Sequence, residues 1–133
     1  MMTATVADVH LSLPARAENV AVVRHVMGAF GEALALPRRR LEDVRLAVTE
    51  ACTNVVRHAY DEPDGLMEIT VHPREDRLEV VVADHGRGIG PSVDRAGPGL
   101  GLPMMATLCD ELEIDRTVDS GSRVAMSFSR GMA

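Results

Sequence analysis

The segment TEACTNVVRHAY carries three polar side chains at helical spacing: the carboxylate of Glu50, the carboxamide of Asn54 and the imidazole of His58. Residues four apart lie on the same side of an α-helix, so the three are predicted to share a face. A carboxylate can orient a hydroxyl nucleophile or take its proton, and an amide oxygen is a suitable Mg²⁺ ligand. A solvated polar face is an equally good interpretation of the spacing. For His58 alone, a residue that only packs near the helix end is the better one.

A second cluster, DHGRGIG of residues 84–90, follows the apolar run 78–83 directly. Its glycines let the backbone turn sharply and approach a ligand closely. At the end of a strand, the carboxylate of Asp84 is free to accept a hydrogen bond from an exocyclic amine. An ordinary turn, in which the aspartate bonds to its own backbone, is the alternative.

Two more glycine-containing strings precede predicted regular elements. GPGLGL, residues 97–102, stands before a short helix, and the free N–H groups of a helix N-terminus attract phosphate. A flexible loop with a helix cap is the alternative. SGSR, residues 120–123, leads into the last strand and by itself indicates only a hairpin turn.

Apolar periodicity and turn residues predict the elements that must position these groups. The predicted fold class is an α+β two-layer sandwich, in which a mixed, mostly antiparallel sheet carries its helices on one face. A hairpin joins the second and third strands, and a tight turn at 119–121 precedes the last. The predicted helices are 17–35, 38–59 and 101–109, and the predicted strands are 8–13, 66–71, 78–83, 111–116 and 123–129.

Each long helix has one apolar face. In the first, Val20 to Leu34 form a stripe that is better explained as core than as a dimer contact. The run Arg38–Arg40 begins the second helix and is predicted to be solvated, with a contact to an acidic partner as the alternative. The apolar residues assigned to the second helix are Leu41, Val44, Leu46, Val48, Ala51, Val55 and Ala59.

Composition limits the classes of function. The 133 residues suit one domain, predicted over 1–133, and the apolar share of 46% is typical of a globular protein. A net charge of −6 and only three aromatic residues argue against binding to nucleic acid. All 14 basic residues are arginine, which excludes mechanisms that need a lysine, including the P-loop.

Cys52 and Cys109 form no C-x-x-C pair, so they are predicted to be buried and reduced. Neither a signal peptide nor a run long enough to span a membrane is recognisable. These features together predict a cytoplasmic protein that does not bind membranes.

Taken together and in this order, the strings resemble the Bergerat ATP-binding fold of the gyrase, Hsp90, histidine kinase and MutL superfamily, over about residues 8–129. The chain is most similar to the anti-sigma factor serine/threonine kinases, on TEACTNVVRHAY, the compact length and GLGLPMMATLCDEL. Glu50 and Asn54 resemble the N box. The later boxes correspond to Asp84–Gly88, Gly99–Gly101 and Gly121–Ser122, with serine in place of the usual threonine.

The resemblance implies ATP and Mg²⁺ as cofactors and a role for each matching residue. Glu50 would be the general base, Asn54 would bind Mg²⁺, and Asp84 would accept from the adenine amine with Ser122 beside it. The other residues that the resemblance assigns to ATP are Gly86 and Gly88 in the adenine pocket, Arg95 in the lid, and Gly99, Leu100 and Gly101 at the phosphates.

For function, the resemblance implies a homodimeric anti-sigma factor that phosphorylates a STAS-type anti-anti-sigma protein on serine and sequesters a sigma factor. The lid between Gly90 and Gly97 is short and lacks lysine, and His85 stands where the family often has asparagine. The short lid motivates an alternative, a partner-switching module of the same fold that is non-catalytic or independent of nucleotide. A regulatory ATP-binding domain from a larger signalling protein is a third possibility.

Overall fold

The computed structural model describes residues 8–60, 65–86, 101–117 and 121–130. All predicted helices and strands are present, with ends within two residues of the prediction except for the end of the second long helix. The elements in chain order are β1 (Val9–Pro14), α1 (Ala17–Ala33), α2 (Arg38–Asn54), a π-helical segment (Val55–Ala59), β2 (Leu66–Pro73), β3 (Arg77–Asp84), α3 (Gly101–Leu108), β4 (Glu111–Thr117) and β5 (Gly121–Ser129).

The strands form one sheet in the order β1-β2-β3-β5-β4. The predicted hairpin of β2 and β3 is confirmed, with Met67 opposite Asp84 at its open end. Strand β5 lies between β3 and β4, which brings Ser122 opposite Asp84. The predicted α+β fold with a mostly antiparallel sheet is confirmed. Among the described strands every pairing is antiparallel, so the parallel part of the predicted mixed sheet is not found there.

The core lies between the helices and one face of the sheet. Successive strand residues point to opposite faces, and alternate ones such as Ile69, Val80 and Met126 are buried, while Glu79 and Arg123 on the other face are not. The buried residues of the helices that join this core include Val20, Val23, Met27, Val44, Val48, Ala51 and Met105.

Both cysteines are buried and unpaired, as predicted. Burial raises the pKa of the Cys52 thiol to about 12, so the thiol stays protonated and inert at neutral pH. None of the helices in the described part of the chain is long and apolar enough to cross a membrane.

The second long helix differs from the prediction in two ways. It is α-helical only as far as Asn54, and Val55–Ala59 form a π-helical segment. The i+4 spacing from Asn54 to His58 assumed α-helical geometry, so the position of His58 on that face stays a prediction. Leu46, predicted to face the core, is 43% exposed. Its neighbours Ala47 and Val48 are buried instead, because the core-facing stripe follows Val44, Ala47, Val48 and Ala51.

In the run Arg38–Arg40, Arg38 and Arg39 are exposed as predicted, but Arg40 is held by protein partners, which corrects the prediction for that residue. Its guanidinium group donates to the carboxylates of Asp43 (2.9 Å) and Asp110 (2.7 Å) and to the carbonyl oxygen of Ser129 (2.9 Å). It also lies 5.9 Å from the ring centre of Phe128. Arg40 thus connects the start of α2 to the ends of α3 and β5.

Replacing Arg40 with methionine is expected to lower the free energy of unfolding by about 2 kcal/mol, because a largely buried guanidinium loses three hydrogen bonds. Urea denaturation measures the change. Arg39→Met is the matched control: Arg39 is exposed, so a change within about 0.5 kcal/mol is expected. Equal effects of the two substitutions would contradict the connecting role of Arg40.

Candidate functional site

The carboxylate of Asp84 is the most firmly held group of the candidate site. It ends β3 and is only 2% exposed. One oxygen accepts from the backbone N–H of Gly86 (2.9 Å), and the other accepts from the hydroxyl group of Ser122 (2.5 Å). Each carboxylate oxygen can accept more than one hydrogen bond, so both can still accept from a ligand.

Gly121 allows β5 to approach Asp84 this closely. Its φ is +91°, a backbone conformation that favours glycine. A Cβ atom at this position would overlap the carbonyl oxygen of Asp84. The predicted pair Gly121–Ser122 therefore lies directly against Asp84, as the family resemblance implied.

Glu50 and Asn54 form the second part of the site. They lie one turn apart at the end of α2, on the same face as predicted, and both are half-buried. Neither side chain is hydrogen-bonded to any other described residue. A carboxylate and an amide oxygen are thus left available to a ligand within one helical turn.

The end of the π-helical segment connects the Asp84 part of the candidate site to the part formed by Glu50 and Asn54. A Cβ atom at Gly86 would overlap the carbonyl oxygen of Ala59, so the two backbones are in direct contact. The hydroxyl group of Tyr60 accepts from the backbone N–H of His85 (2.8 Å). Residues 59–60, which follow Asn54 along the chain, therefore lie against residues 85–86, which follow Asp84.

Gly86→Ala is expected to displace residues 85–86 and to lower the free energy of unfolding by about 1–3 kcal/mol, because the added methyl group meets backbone rather than a mobile side chain. Chemical denaturation measures the loss. In the control Gly28→Ala, the new Cβ would lie 3.9 Å from its nearest neighbour, Arg45. This helical substitution is expected to stabilise by up to about 1 kcal/mol. A stable Gly86→Ala variant would contradict the close contact.

Comparison with known proteins identifies the family. Residues 13–128 match the model of the histidine kinase-like ATPase domain. The chain belongs to this family. ATP is therefore the nucleotide to test against the site.

Relatives with curated names specify the branch of the family. The serine-protein kinase RsbW of Halalkalibacterium halodurans is 38% identical over 90% of this chain and 81% of its own length. The serine-protein kinase RsbW of Bacillus pumilus is 37% identical over 95% of this chain and 88% of its own length. These relatives confirm the predicted membership of the anti-sigma factor serine kinase family, and with it the predicted enzyme class of protein serine/threonine kinase.

Solved structures agree on the fold. The structure of the RsbU and RsbW domains of Rv1364c from Mycobacterium tuberculosis matches with a TM-score of 0.76 at 19% identity, over 94% of this chain and 33% of that one. A histidine kinase domain from Erythrobacter litoralis matches with a TM-score of 0.64 at 22% identity, over 89% of this chain and 62% of that one. The Bergerat-type fold predicted from the sequence is thus confirmed.

The residues present fit the ATP and Mg²⁺ that the kinase family implies. Asp84 is a buried acceptor suited to the exocyclic amine of adenine. The amide oxygen of Asn54 is a hard ligand, and Mg²⁺ typically takes only one or two protein ligands together with phosphate oxygens and water. The amide oxygen of Asn54, which has no partner among the described residues, is therefore sufficient on the protein side when a carboxylate stands beside it.

The structure describes some of the remaining predicted residues and not others. Gly101 begins α3, where the helix start was predicted, and α3 packs on α2. His85 is exposed, and its Nε2 lies 3.4 Å from the carboxylate of Glu68. Gly88, Arg95, Gly99 and Leu100 lie outside the described residues, as does most of the turn predicted at 119–121.

Tyr60 was not among the predicted site residues. It is the last letter of TEACTNVVRHAY and the only tyrosine of the chain. A lone tyrosine at a helix end, just before a turn, was a usable signal, because a buried tyrosine hydroxyl usually finds a hydrogen-bond partner.

Proposed function

We propose that this protein is an ATP- and Mg²⁺-dependent anti-sigma factor that phosphorylates a serine of a STAS-type anti-anti-sigma protein and sequesters a sigma factor. One observation carries the proposal: Glu50 and Asn54 are not hydrogen-bonded to any other described residue, and the end of their helix lies against residues 85–86, which follow Asp84. A phosphoryl-transfer site needs mainly positioning and charge stabilisation, and this arrangement provides both from few residues.

Asp84 would recognise the base. Its carboxylate is held by Gly86 and Ser122, so its direction is fixed before a ligand arrives. An adenine amine donates to such an acceptor, whereas guanine presents a carbonyl oxygen at the corresponding position. The assignment therefore includes a preference for ATP over GTP.

Asn54 and Glu50 would act at the phosphate end. Asn54 would hold Mg²⁺, and Glu50 would accept the proton of the substrate serine hydroxyl, which makes the oxygen a better nucleophile. Bound ATP supplies the phosphoryl group, and Mg²⁺ offsets its negative charge. Gly86 with Gly88 would line the adenine pocket, while Arg95, Gly99, Leu100 and Gly101 would contact the phosphates.

The remaining parts of the proposal concern assembly. The protein would act as a homodimer of one domain spanning 1–133, in the cytoplasm, with protein partners only. The net charge of −6 supports the exclusion of nucleic acid, because an acidic protein is repelled by a phosphate backbone.

Calorimetric titration of the full chain with ATP, with and without Mg²⁺, tests the proposal. Mg²⁺ is expected to strengthen binding in the wild type, and Asn54→Ala is expected to abolish that gain. Asn54→Asp is the matched control, because it keeps an oxygen ligand and should keep a gain from Mg²⁺. If a folded wild-type sample bound no ATP, the result would overturn the proposal and favour a partner-switching module independent of nucleotide.

A further inference from the structure

We propose that Tyr60 is a positioning residue for base recognition, whose hydroxyl group holds the backbone after β3 so that the carboxylate of Asp84 faces the adenine. The inference rests on the proposed function, because it requires Asp84 to bind the base.

The hydroxyl group of Tyr60 is bonded to two strand ends at once. It donates to the carbonyl oxygen of Leu66, the first residue of β2 (2.6 Å), and accepts from the backbone N–H of His85 (2.8 Å). Burial raises the pKa of the Tyr60 phenol above its ordinary value. The phenol therefore keeps its proton at neutral pH and remains a donor to Leu66.

The carbonyl group of Leu66 and the N–H group of His85 belong to the position that follows the last pair of the β2–β3 ladder. The last pair in register is Met67 with Asp84, so the pair after it would be Leu66 with His85. The hydroxyl oxygen lies between their carbonyl and N–H groups, where a direct bond would otherwise extend the ladder. Tyr60 thus ends the pairing at Asp84 and keeps the following backbone away from β2.

That backbone in turn fixes the carboxylate of Asp84. Gly86, one residue beyond His85, donates its N–H to one oxygen of Asp84 (2.9 Å). The position of this donor depends on where His85 is held. The direction of the carboxylate therefore depends on the hydroxyl group of Tyr60, although Tyr60 itself need not touch the nucleotide.

The ring of Tyr60 is fixed independently of its hydroxyl group. A Cβ atom at Gly65 would overlap the ring carbons, so the ring lies directly on the backbone there. Phenylalanine can occupy the same space, which makes Tyr60→Phe a substitution that removes the two hydrogen bonds and keeps the packing.

Tyr60→Phe is expected to raise the Kd for Mg·ATP by about five- to tenfold, because two backbone groups lose their partner and residues 85–86 shift. In the kinase reaction, KM for ATP should rise while kcat stays within about twofold of the wild type, because Glu50 and Asn54 are not moved. The control is Thr70→Val, which removes a hydroxyl group from β2 that bonds to His10 rather than towards the site. It is expected to leave the Kd unchanged.

A double-mutant cycle separates positioning from general stabilisation. The Kd for Mg·ATP is measured by titration for the wild type, Tyr60→Phe, Asp84→Asn and the double variant. If Tyr60 acts through Asp84, Tyr60→Phe raises the Kd only where Asp84 is intact and has no further effect in Asp84→Asn. That non-additive result is the one expected.

Four outcomes would overturn the inference, and they separate its failure from that of the proposed function. An unchanged Kd in Tyr60→Phe, or an equal effect with and without Asp84, would remove the positioning role and leave the proposed function standing. An Asp84→Asn variant that binds like the wild type would show that Asp84 is not the base acceptor. A folded wild type that binds no ATP would remove the proposed function itself.

Discussion

Glu50→Gln is expected to lower the rate of phosphoryl transfer by about 10²–10⁴-fold, the range typical of a lost general base. Glutamine has nearly the same size as glutamate but cannot accept the proton of a serine hydroxyl. Glu50 makes no hydrogen bond to another described residue, so its replacement leaves no group unpaired in the part of the chain that the structure describes. The ATP affinity and the free energy of unfolding should therefore change little.

The measurement is transfer of labelled phosphate from ATP to a purified STAS-domain protein, with calorimetry of ATP binding on the same samples. Glu42→Gln is the control, because it makes the same charge change at an exposed position of the same helix. It should transfer at the wild-type rate. Undiminished transfer in Glu50→Gln would show that another group accepts the proton, and a joint loss of ATP binding would place Glu50 in nucleotide binding instead.

Most of the fold follows from local patterns in this sequence. Alternating apolar residues, as in Met67, Ile69 and Val71, predict a strand because successive side chains point to opposite faces. The position of β5 between β3 and β4 depends on contacts between distant parts of the chain. Local periodicity therefore cannot predict the pairing of Asp84 with Ser122. Only the family resemblance placed these two residues together.

The π-helical segment could not be predicted from its residues. VVRHA, residues 55–59, continues the apolar pattern of α2, and α- and π-helices differ only in which backbone groups are bonded. The π-helical segment makes a tertiary contact at its end, where Ala59 lies against the backbone of Gly86. The placement of His58 beside Asn54 assumed α-helical geometry throughout and therefore stays a prediction.

Charged side chains were hard to interpret for a related reason. Arg38, Arg39 and Arg40 look alike in the sequence, yet only Arg40 is held by Asp110 and Ser129. Both partners come from the opposite end of the chain. Residue type suggests which side chains can form such bonds, but the identity of the partner is set by the packing of α2 on α3 and the sheet.

Asp84→Asn is expected to weaken ATP binding by about 10–100-fold. This is the effect typical of losing a hydrogen bond to a charged group. The carboxamide has almost the shape of the carboxylate, so the fold should be retained. Its oxygen must face the N–H of Gly86, because two donors cannot pair. Its amide group then faces Ser122, whose hydroxyl can rotate to accept. The amine of adenine therefore loses a charged acceptor.

Base selectivity distinguishes this loss from general damage to the site. The carboxylate of Asp84 repels the carbonyl oxygen of guanine, whereas a carboxamide can donate to it. The ratio of the Kd for GTP to the Kd for ATP should therefore fall in Asp84→Asn. Ser122→Ala keeps the charge and should lower ATP affinity less, with the ratio retained. An unchanged ratio in Asp84→Asn would mean that the base is read elsewhere. The buried pair of Asp84 and Ser122 would then serve only to join β3 to β5.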